Sequence, residues 1–368
     1  MTQINFADNE NTTIIPLNTL AKPARLVGLD VANAYVKLTT GEGTEVYPNT
    51  TKLLSAEDKR VLESEGNHAE KVYTYTDDNG ISNMYKIGLT ELGVTSSFGK
   101  SDDRYRSEQF KKEFVLALAK IAQKNDVFVV VTGLPSEDYV EESNKAALKE
   151  FANRTYSVLV DGVAVNFSIS HVFVELQPRG TYLSSVYDIE NGQLALKNKE
   201  LTDVKYVAVV DVGWGTTDVA LMTRNGQLTG KFGFAYGMSD AYQLLKDNLI
   251  SDFKSLKKIP LIEIEAEIRE HGELYAGGKL IDKERIVKEL DKAFNATAIQ
   301  IMSNIKNAIS LDDLNVCIFT GGGVVALREQ LRDKISGEYK KLIANNPQTS
   351  NSKGYFIRGL LIKQSGGF

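Results

Sequence analysis

Four short stretches of this chain combine residue types suited to phosphate chemistry. In Asp211-Val212-Gly213-Trp214-Gly215-Thr216-Thr217, an apolar strand ends in a carboxylate and runs into a turn of small residues. Such a turn presents successive backbone N–H groups to an anion with few side chains in the way. The hydroxyls of Thr216 and Thr217 add donors. Asp211 at the strand end suits a hydrated Mg2+, an ion that keeps most of its waters and takes few carboxylates. The same segment also reads as a plain glycine hairpin with no ligand. In the second stretch Lys37 follows Asp30 by seven residues, a spacing at which a returning strand brings an ammonium back toward the turn. In the third, Gly321-Gly322-Gly323 follows an apolar strand and precedes a helix, so the backbone can approach a flat ligand such as a purine. The fourth is Gln177, a neutral amide between the run VFVEL and a Pro-initiated helix, placed to orient an attacking water beside phosphate. Glu175 competes for that role, because alternation along a strand puts both side chains on one face.

The elements that must hold these residues follow from periodicity and turn chemistry. LVGLDV and AYVKL read as two strands around a tight turn, and VYTYTDDNGISNMYKIG as a hairpin turning at Asn79-Gly80. Next come a helix from about Ser107 to Lys124, the apolar strand at 127–131, and a helical stretch from Pro135 to about Asn153. TYSVLV, VAVNFSI and HVFVEL give three further strands, a helix opens at Pro178, and Asn191-Gly192 ends this half. The second half opens with YVAVVDVGWGTTDVALM, turns at Asn225-Gly226, and becomes mostly helical from Ser239 to Ile309, with a long helix from about Asp282 to Ser310. Strand VCIFT, a helix near 325–335 and a last helix near 354–363 close the chain. EIEAEIREHGEL reads most simply as a solvated helix face with i,i+4 pairs such as Glu265 with Arg269, and alternatively as a border of the nucleotide.

An internal echo ties the halves together. LVGLDVANAYVKL and VVDVGWGTTDVALM share one plan, an apolar strand ending in aspartate, a small-residue turn and a returning strand. Two such hairpins facing one another enclose a cleft.

Composition narrows the function. The 43 Lys and Arg against 48 Asp and Glu leave a net charge of −5, without the basic footprint of a direct nucleic-acid binder. The single cysteine, Cys317, permits no intramolecular disulfide, and the three histidines, His68, His171 and His271, have no evident Ser or Cys partner. A cytoplasmic location without a membrane anchor is expected, since the N-terminal 24 residues read as a polar tail with no apolar core. No G-x-G-x-x-G follows the first strand, which argues against a dinucleotide-binding dehydrogenase.

Taken together, the chain from Arg25 onward resembles the actin/Hsp70/sugar-kinase ATPase superfamily, and within it the bacterial actins of the ParM type. The resemblance rests on Leu29 to Lys37 as a first phosphate segment, Asp211 to Asp218 as a second, and Thr320-Gly321-Gly322-Gly323 as an adenosine segment. Asp103-Arg104-Tyr105, Thr132-Gly133-Leu134-Pro135 and Gln177-Pro178-Arg179-Gly180-Thr181 add to it. It implies an α/β actin-like fold of two lobes, each with a related mixed sheet flanked by helices and a nucleotide cleft between them. The expected boundaries are a tail at 1–24, a first lobe at 25–205 with a small β-rich insertion at about 39–100, and a second lobe at 206–351. The second lobe carries a helical insertion at about 239–285, and residues 352–368 form a C-terminal helix returning to the first lobe.

The resemblance further implies Mg-ATP or Mg-GTP as cofactor, with Asp30 and Asp211 holding the metal through water and Lys37 holding the phosphates. Gln177 would set the attacking water, making Gln177, Asp211 and Asp30 the catalytic set. Ala32, Asn33, Ala34, Tyr35, Gly213, Trp214, Gly215, Thr216 and Thr217 would contact the nucleotide beside Gly321, Gly322 and Gly323. Where the family carries glycines in the first phosphate turn, this chain has Ala32 and Ala34, which leaves Asn33 as the residue best able to turn left-handed. Subunits of this kind join head to tail into filaments, and plasmid segregation would run through an adaptor protein bound to centromere-like DNA, with no direct DNA or membrane contact. A sugar or acetate-type kinase on the same core, and a filament for cell shape or organelle positioning, are the alternative readings.

Overall fold

The computed structural model describes residues 23–55, 57–58, 60, 70–89, 95–96, 103–190, 192–223, 227–309, 314–332 and 340–368. The polar tail up to residue 22, His68, and the turn residues Asn191 and Asn225-Gly226 lie outside the described residues.

The first lobe is built on one sheet of ten strands among the described residues: β1 (Arg25–Val31), β2 (Tyr35–Thr40), β3 (Gly43–Pro48), β4 (Thr50–Leu53), β5 (Tyr73–Thr76), β6 (Ser82–Ile87), β7 (Thr95–Ser96), β8 (Asp126–Leu134), β9 (Arg154–Val160) and β10 (Val163–Leu176). Their order is β3-β2-β1-β8-β10-β9-β5-β6-β4-β7. The central strands β1, β8 and β10 are parallel, which explains the near-continuous apolar runs of β1 and β8. Strand β10 is one strand of 14 residues rather than the expected two. A register irregularity between Ile169 and His171 absorbs Ser170, whose hydroxyl donates to the Phe128 carbonyl at 3.1 Å.

Helix α1 (Glu108–Ile121) starts at Ser107, whose side chain accepts from the Phe110 N–H. The stretch after Pro135 divides into α2 (Ser136–Tyr139) and α3 (Glu142–Lys149), because Glu141 is extended. Helix α4 (Gln177–Val186) follows β10 directly, with Pro178 in its first turn.

A hairpin of β11 (Tyr187–Glu190) and β12 (Gln193–Leu196) and the short α5 (Glu200–Asp203) lead to the second lobe. Its sheet contains β13 (Tyr206–Val212), β14 (Thr217–Thr223) and β15 (Leu228–Phe234). Then come α6 (Met238–Ile250), α7 (Leu261–His271), the two-residue strands β16 (Tyr275–Ala276) and β17 (Lys279–Leu280), and the 26-residue α8 (Lys283–Ala308). The chain closes with β18 (Val316–Thr320), α9 (Gly322–Ala326), α10 (Arg328–Arg332), β19 (Lys340–Ile343) and α11 (Ser350–Gln364). Helix α9 starts before the position expected from sequence, because Gly321 turns the chain with φ of 92°.

The second sheet runs β15-β14-β13-β18-β19 and repeats the half of the first that reads β3-β2-β1-β8-β10, with the same antiparallel hairpin and the same two parallel neighbours. The echo in the sequence is therefore an echo in topology. The helices after the last strands are exchanged between lobes. Tyr182 and Val186 of α4 share an apolar cluster with Val207, Val209, Val316 and Ile318 of the second sheet. Helix α11 instead lies on the first sheet, so close that a Cβ on Gly28 would sit 2.1 Å from the Ser352 carbonyl. The two helices cross backbone to backbone at Gly180 and Gly354, where a Cβ on Gly354 would lie 1.8 Å from the Gly180 carbonyl oxygen. Separate cores fill the lobes, one around Leu29, Phe114 and Phe128, the other around Val210, Leu245 and Ile301.

Candidate functional site

Both strand-ending aspartates sit where parallel strands terminate beside a tight turn. Val31 pairs with Val36 and Val212 with Thr217, so each turn spans four residues, 32–35 and 213–216. Each closes with the same hydrogen bond, Ala32 N–H to the Tyr35 carbonyl at 3.2 Å and Gly213 N–H to the Thr216 carbonyl at 2.8 Å. The turns face one another across a cleft of about 430 Å3, a volume in the range of small-molecule sites.

The sequence-derived site residues converge here. Asp30, Ala32, Asn33, Ala34, Tyr35 and Lys37 line the cleft from the first lobe, as does Gln177. Asp211, Gly213, Trp214, Gly215, Thr216, Gly321, Gly322 and Gly323 line it from the second. Thr217 does not: it is fully buried and its hydroxyl donates to the Tyr236 carbonyl at 2.9 Å, so the expected second hydroxyl donor faces the protein instead. The Thr216 hydroxyl lies in the cleft and donates to Asp218 at 3.0 Å. Asn33 is not left-handed, and no residue of the first turn has positive φ.

Lys37 stands directly opposite Asp30 in the β1–β2 ladder, with Nζ 3.0 Å from Asp30 Oδ2. Asp211 Oδ2 accepts from Gln177 Nε2 at 3.1 Å and from Asn351 Nδ2 at 2.9 Å. Burial pushes the Asp211 carboxyl above the usual carboxylate range and the nearby Asp30 charge adds to this, while Lys37 and the two amide donors oppose it. Asn351, on α11, is a site residue that sequence reasoning missed. Its Oδ1 accepts from the Thr181 hydroxyl of α4 at 2.6 Å, so one amide joins the exchanged helices to Asp211. No local signal marks Asn351, because its contact with Asp211 depends on α11 crossing from the second lobe to the first.

Glu175 and Gln177 separate cleanly. Glu175 is buried away from the cleft and pairs with Arg179 and Arg358, whereas helix α4 begins at Gln177 and turns that side chain toward Asp211. Trp214 stacks on Tyr242 with ring centroids 5.7 Å apart, and Tyr242 meets Phe294 edge-on, so the indole anchors its turn to α6 and α8 of its own lobe.

Helix α7 is not a solvated face. Ile262, Ile264 and Ala266 are buried, and Glu265, although paired with Arg269, lines the cleft. Tyr35 reaches across from the first turn and donates to Glu265 Oε2 at 2.8 Å, with Arg269 donating to the same hydroxyl at 3.3 Å. These contacts clasp the lobes at the cleft mouth. Burial and the Glu265 charge hold the Tyr35 phenol above its ordinary value.

The glycines of 321–323 divide by purpose. A Cβ on Gly321 would meet the Val212 carbonyl at 2.3 Å and Asp211 Oδ1 at 2.4 Å, and one on Gly323 would meet Val212 Cγ1 at 2.4 Å. Gly322 has nothing within 4 Å of its missing Cβ, which leaves bare backbone facing open cleft. Among the described residues no group of three or more His, Cys, Asp and Glu side chains could hold a metal ion. Two hard carboxylates, one from each lobe, instead fit an ion that keeps its waters and relies on phosphate oxygens. Cys317 is buried in β18, where desolvation pushes its thiol up to about 12. His171 and His271 lie outside the cleft lining. No helix among the described residues is long and apolar enough to cross a membrane.

Comparison with known proteins agrees with this geometry. Residues 28–180 match the family of actin-like proteins, N-terminal domain, and residues 209–333 match the archaeal actin homologue MreB-like C-terminal family. The chain is similar to apo psk41 ParM, with 20% identity, a TM-score of 0.68, and 94% of this chain and 99% of that one covered. It is similar to a ParM of a 15-stranded filament from Clostridium botulinum, with 16% identity, a TM-score of 0.73, and 92% and 100% covered. The archaeal actin homologue Ta0583 in complex with ADP gives 18% identity, a TM-score of 0.68, and 91% and 99% covered. No curated protein sequence matches the chain. With both halves matched in order and both carrying the repeated sheet around one cleft, this chain belongs to the actin-like proteins.

Proposed function

We propose that this chain binds Mg-ATP or Mg-GTP between its lobes, hydrolyses it, and joins head to tail into filaments whose lifetime the hydrolysis sets. The observation that carries this reading is the convergence of Asp30, Lys37, Gln177 and Asp211 with two N–H-rich turns and the bare backbone of Gly322 in one cleft. The turns would hold the phosphates, Lys37 would neutralise them, and the base and ribose would lie against Gly322. Asp30 and Asp211 would hold Mg2+ through its waters, and the ion would supply charge neutralisation on the phosphate oxygens. Gln177 would set the attacking water from the position it holds beside Asp211. Catalysis by these groups is positioning and electrostatics.

A ParM filament among the structural neighbours supports self-association. A head-to-tail contact that fails to close makes a filament. We place that filament in the cytoplasm and in plasmid segregation, coupled through an adaptor protein, since the acidic balance disfavours direct DNA contact.

The test is sedimentation of the purified protein with Mg-ATP, Mg-GTP, the diphosphates or no nucleotide, with phosphate release followed in the same samples. Pelleting above a critical concentration that depends on triphosphate, with release following assembly, is the expected result. Phosphate release only on addition of a small hydroxylated acceptor, without pelleting, overturns the filament reading in favour of a kinase.

A further inference from the structure

The first phosphate turn lacks the conformational freedom that its counterpart has. Neither four-residue turn has a residue at positive φ, but the second carries Gly213 and Gly215 where the first carries Ala32 and Ala34. An agent outside each turn holds its carbonyls. In the second turn that agent is the start of α6, where Met238 N–H donates to the Gly213 carbonyl at 3.1 Å and Ser239 N–H to the Trp214 carbonyl at 2.6 Å.

The first turn has no helix at that place. It has Asn49, 2% exposed, between β3 and β4. Asn49 N–H donates to the Ala34 carbonyl at 2.8 Å, and Asn49 Nδ2 donates to the Ala32 carbonyl at 2.8 Å. The same Nδ2 donates to Glu113 Oε2 at 3.0 Å, and Glu113 Oε1 accepts from Gln109 at 2.6 Å. Arg104 donates to the Val31 carbonyl at 2.8 Å. Three carbonyls of the segment are thus held from behind. Both acceptors facing the Asn49 amide are oxygens, so the position requires a two-proton donor, and aspartate would be repelled there.

We propose that Asn49, braced by Glu113 from helix α1, is the positioning residue of the first phosphate turn and fixes that turn for phosphate. The phosphate part of this inference rests on the nucleotide reading of the cleft; the bracing of the turn does not.

The experiment compares Asn49→Ala and the isosteric Glu113→Gln with wild type, using Asn198→Ala as a control that loses a side-chain bond to the Ser185 carbonyl far from the turn. Amide hydrogen exchange on the free protein is read at Ala32 and Asn49, both bonded within the bracket, and at Gly213 in the other turn. Titrations use Mg-ADP and adenosine. In Asn49→Ala, exchange at Ala32 is expected to rise about tenfold with Gly213 unmoved, and ADP affinity to fall about tenfold with adenosine affinity unchanged. Glu113→Gln is expected to move both readouts the same way by a smaller factor, and decides the matter if Asn49→Ala does not fold. Unchanged exchange at Ala32 in both variants, or equal weakening of ADP and adenosine, overturns the proposal. Wild type that binds neither ligand removes the phosphate part together with the nucleotide reading, while the exchange result still decides whether Asn49 holds the turn.

Discussion

Gln177 Nε2 lies 3.1 Å from Asp211 Oδ2, a hydrogen bond between the end of the first lobe's sheet and the end of the second's. The residue proposed to set the attacking water and the residue proposed to hold the metal are therefore hydrogen-bonded to one another. Both positions depend on the exchanged helices, since Gln177 opens α4 and Asn351 holds the same carboxylate oxygen from α11.

Gln177→Ala is expected to lower phosphate release by about 10²-fold or more while leaving ADP affinity within about threefold, because positioning of the water is lost and the phosphate contacts are not. Steady-state release and equilibrium ADP titration check this. Filaments of the variant should persist longer after assembly.

Asp211 carries a raised pKa caused first by burial. The folded state then holds a proton more tightly than the unfolded chain, so this group's contribution to stability falls as pH rises through the folded-state pKa and is recovered as pH drops toward the unfolded value. Asp211→Asn should raise the thermal midpoint at neutral pH and abolish Mg-dependent ADP binding. In wild type, Mg-ADP affinity should weaken on acidification at a higher pH than an ordinary carboxylate would dictate. Melting curves and titrations across pH 4 to 8 test both directions, and identical pH profiles for wild type and Asp211→Asn would contradict them.

Neighbouring glycines should behave in opposite ways. Gly321→Ala forces a side chain into the Val212 carbonyl at φ of 92° and is expected to destabilise the fold by about 1–3 kcal/mol. Gly322→Val places its side chain in the open cleft, and should leave the melting midpoint nearly unchanged while reducing nucleotide affinity at least about tenfold. Parallel denaturation and ADP titration of the two variants separate the effects.

Tyr35→Phe removes the hydroxyl that bridges the first turn to Glu265 and Arg269. Charge-assisted bonds of this kind are worth about 1.5–3 kcal/mol, so release of fluorescent ADP in stopped-flow should accelerate about tenfold. Because the phenol is held above its ordinary value, the wild-type release rate should not vary with pH between 6 and 9 through this group.

At the helix crossing, Gly354→Ala brings a Cβ against the Gly180 carbonyl, where backbone leaves no room. A loss of about 3 kcal/mol in urea denaturation is expected, with the lobes' own secondary structure retained in far-ultraviolet dichroism.

Much of the cleft was legible because its parts are local. An apolar strand, a carboxylate and a turn of small residues announce themselves within ten residues, and their recurrence from Asp30 to Asp211 announces two related lobes. The opposition of Lys37 and Asp30 follows directly from hairpin register. What the sequence could not specify were pairings between distant segments. Side-chain alternation put Glu175 and Gln177 on one face, and only the start of α4 at Gln177 sends one to Asp211 and leaves the other to Arg358. Thr217 and Thr216 are equivalent as letters, yet the first is the opening residue of β14 and faces inward. Helix α7 carries the charge pattern of a solvated face, but packing against the cleft buries Glu265 beside Tyr35, 230 residues away in sequence. Asn49 gave no signal at all, since a hydrogen bond to the Ala32 carbonyl depends on the path of two strands and not on local preference. The chain alone determined where the two carboxylate-ended hairpin turns lie, because backbone turns and charge are written locally. The tertiary structure decided which groups hold those turns in place, because burial and long-range hydrogen bonds exist only once the lobes have packed.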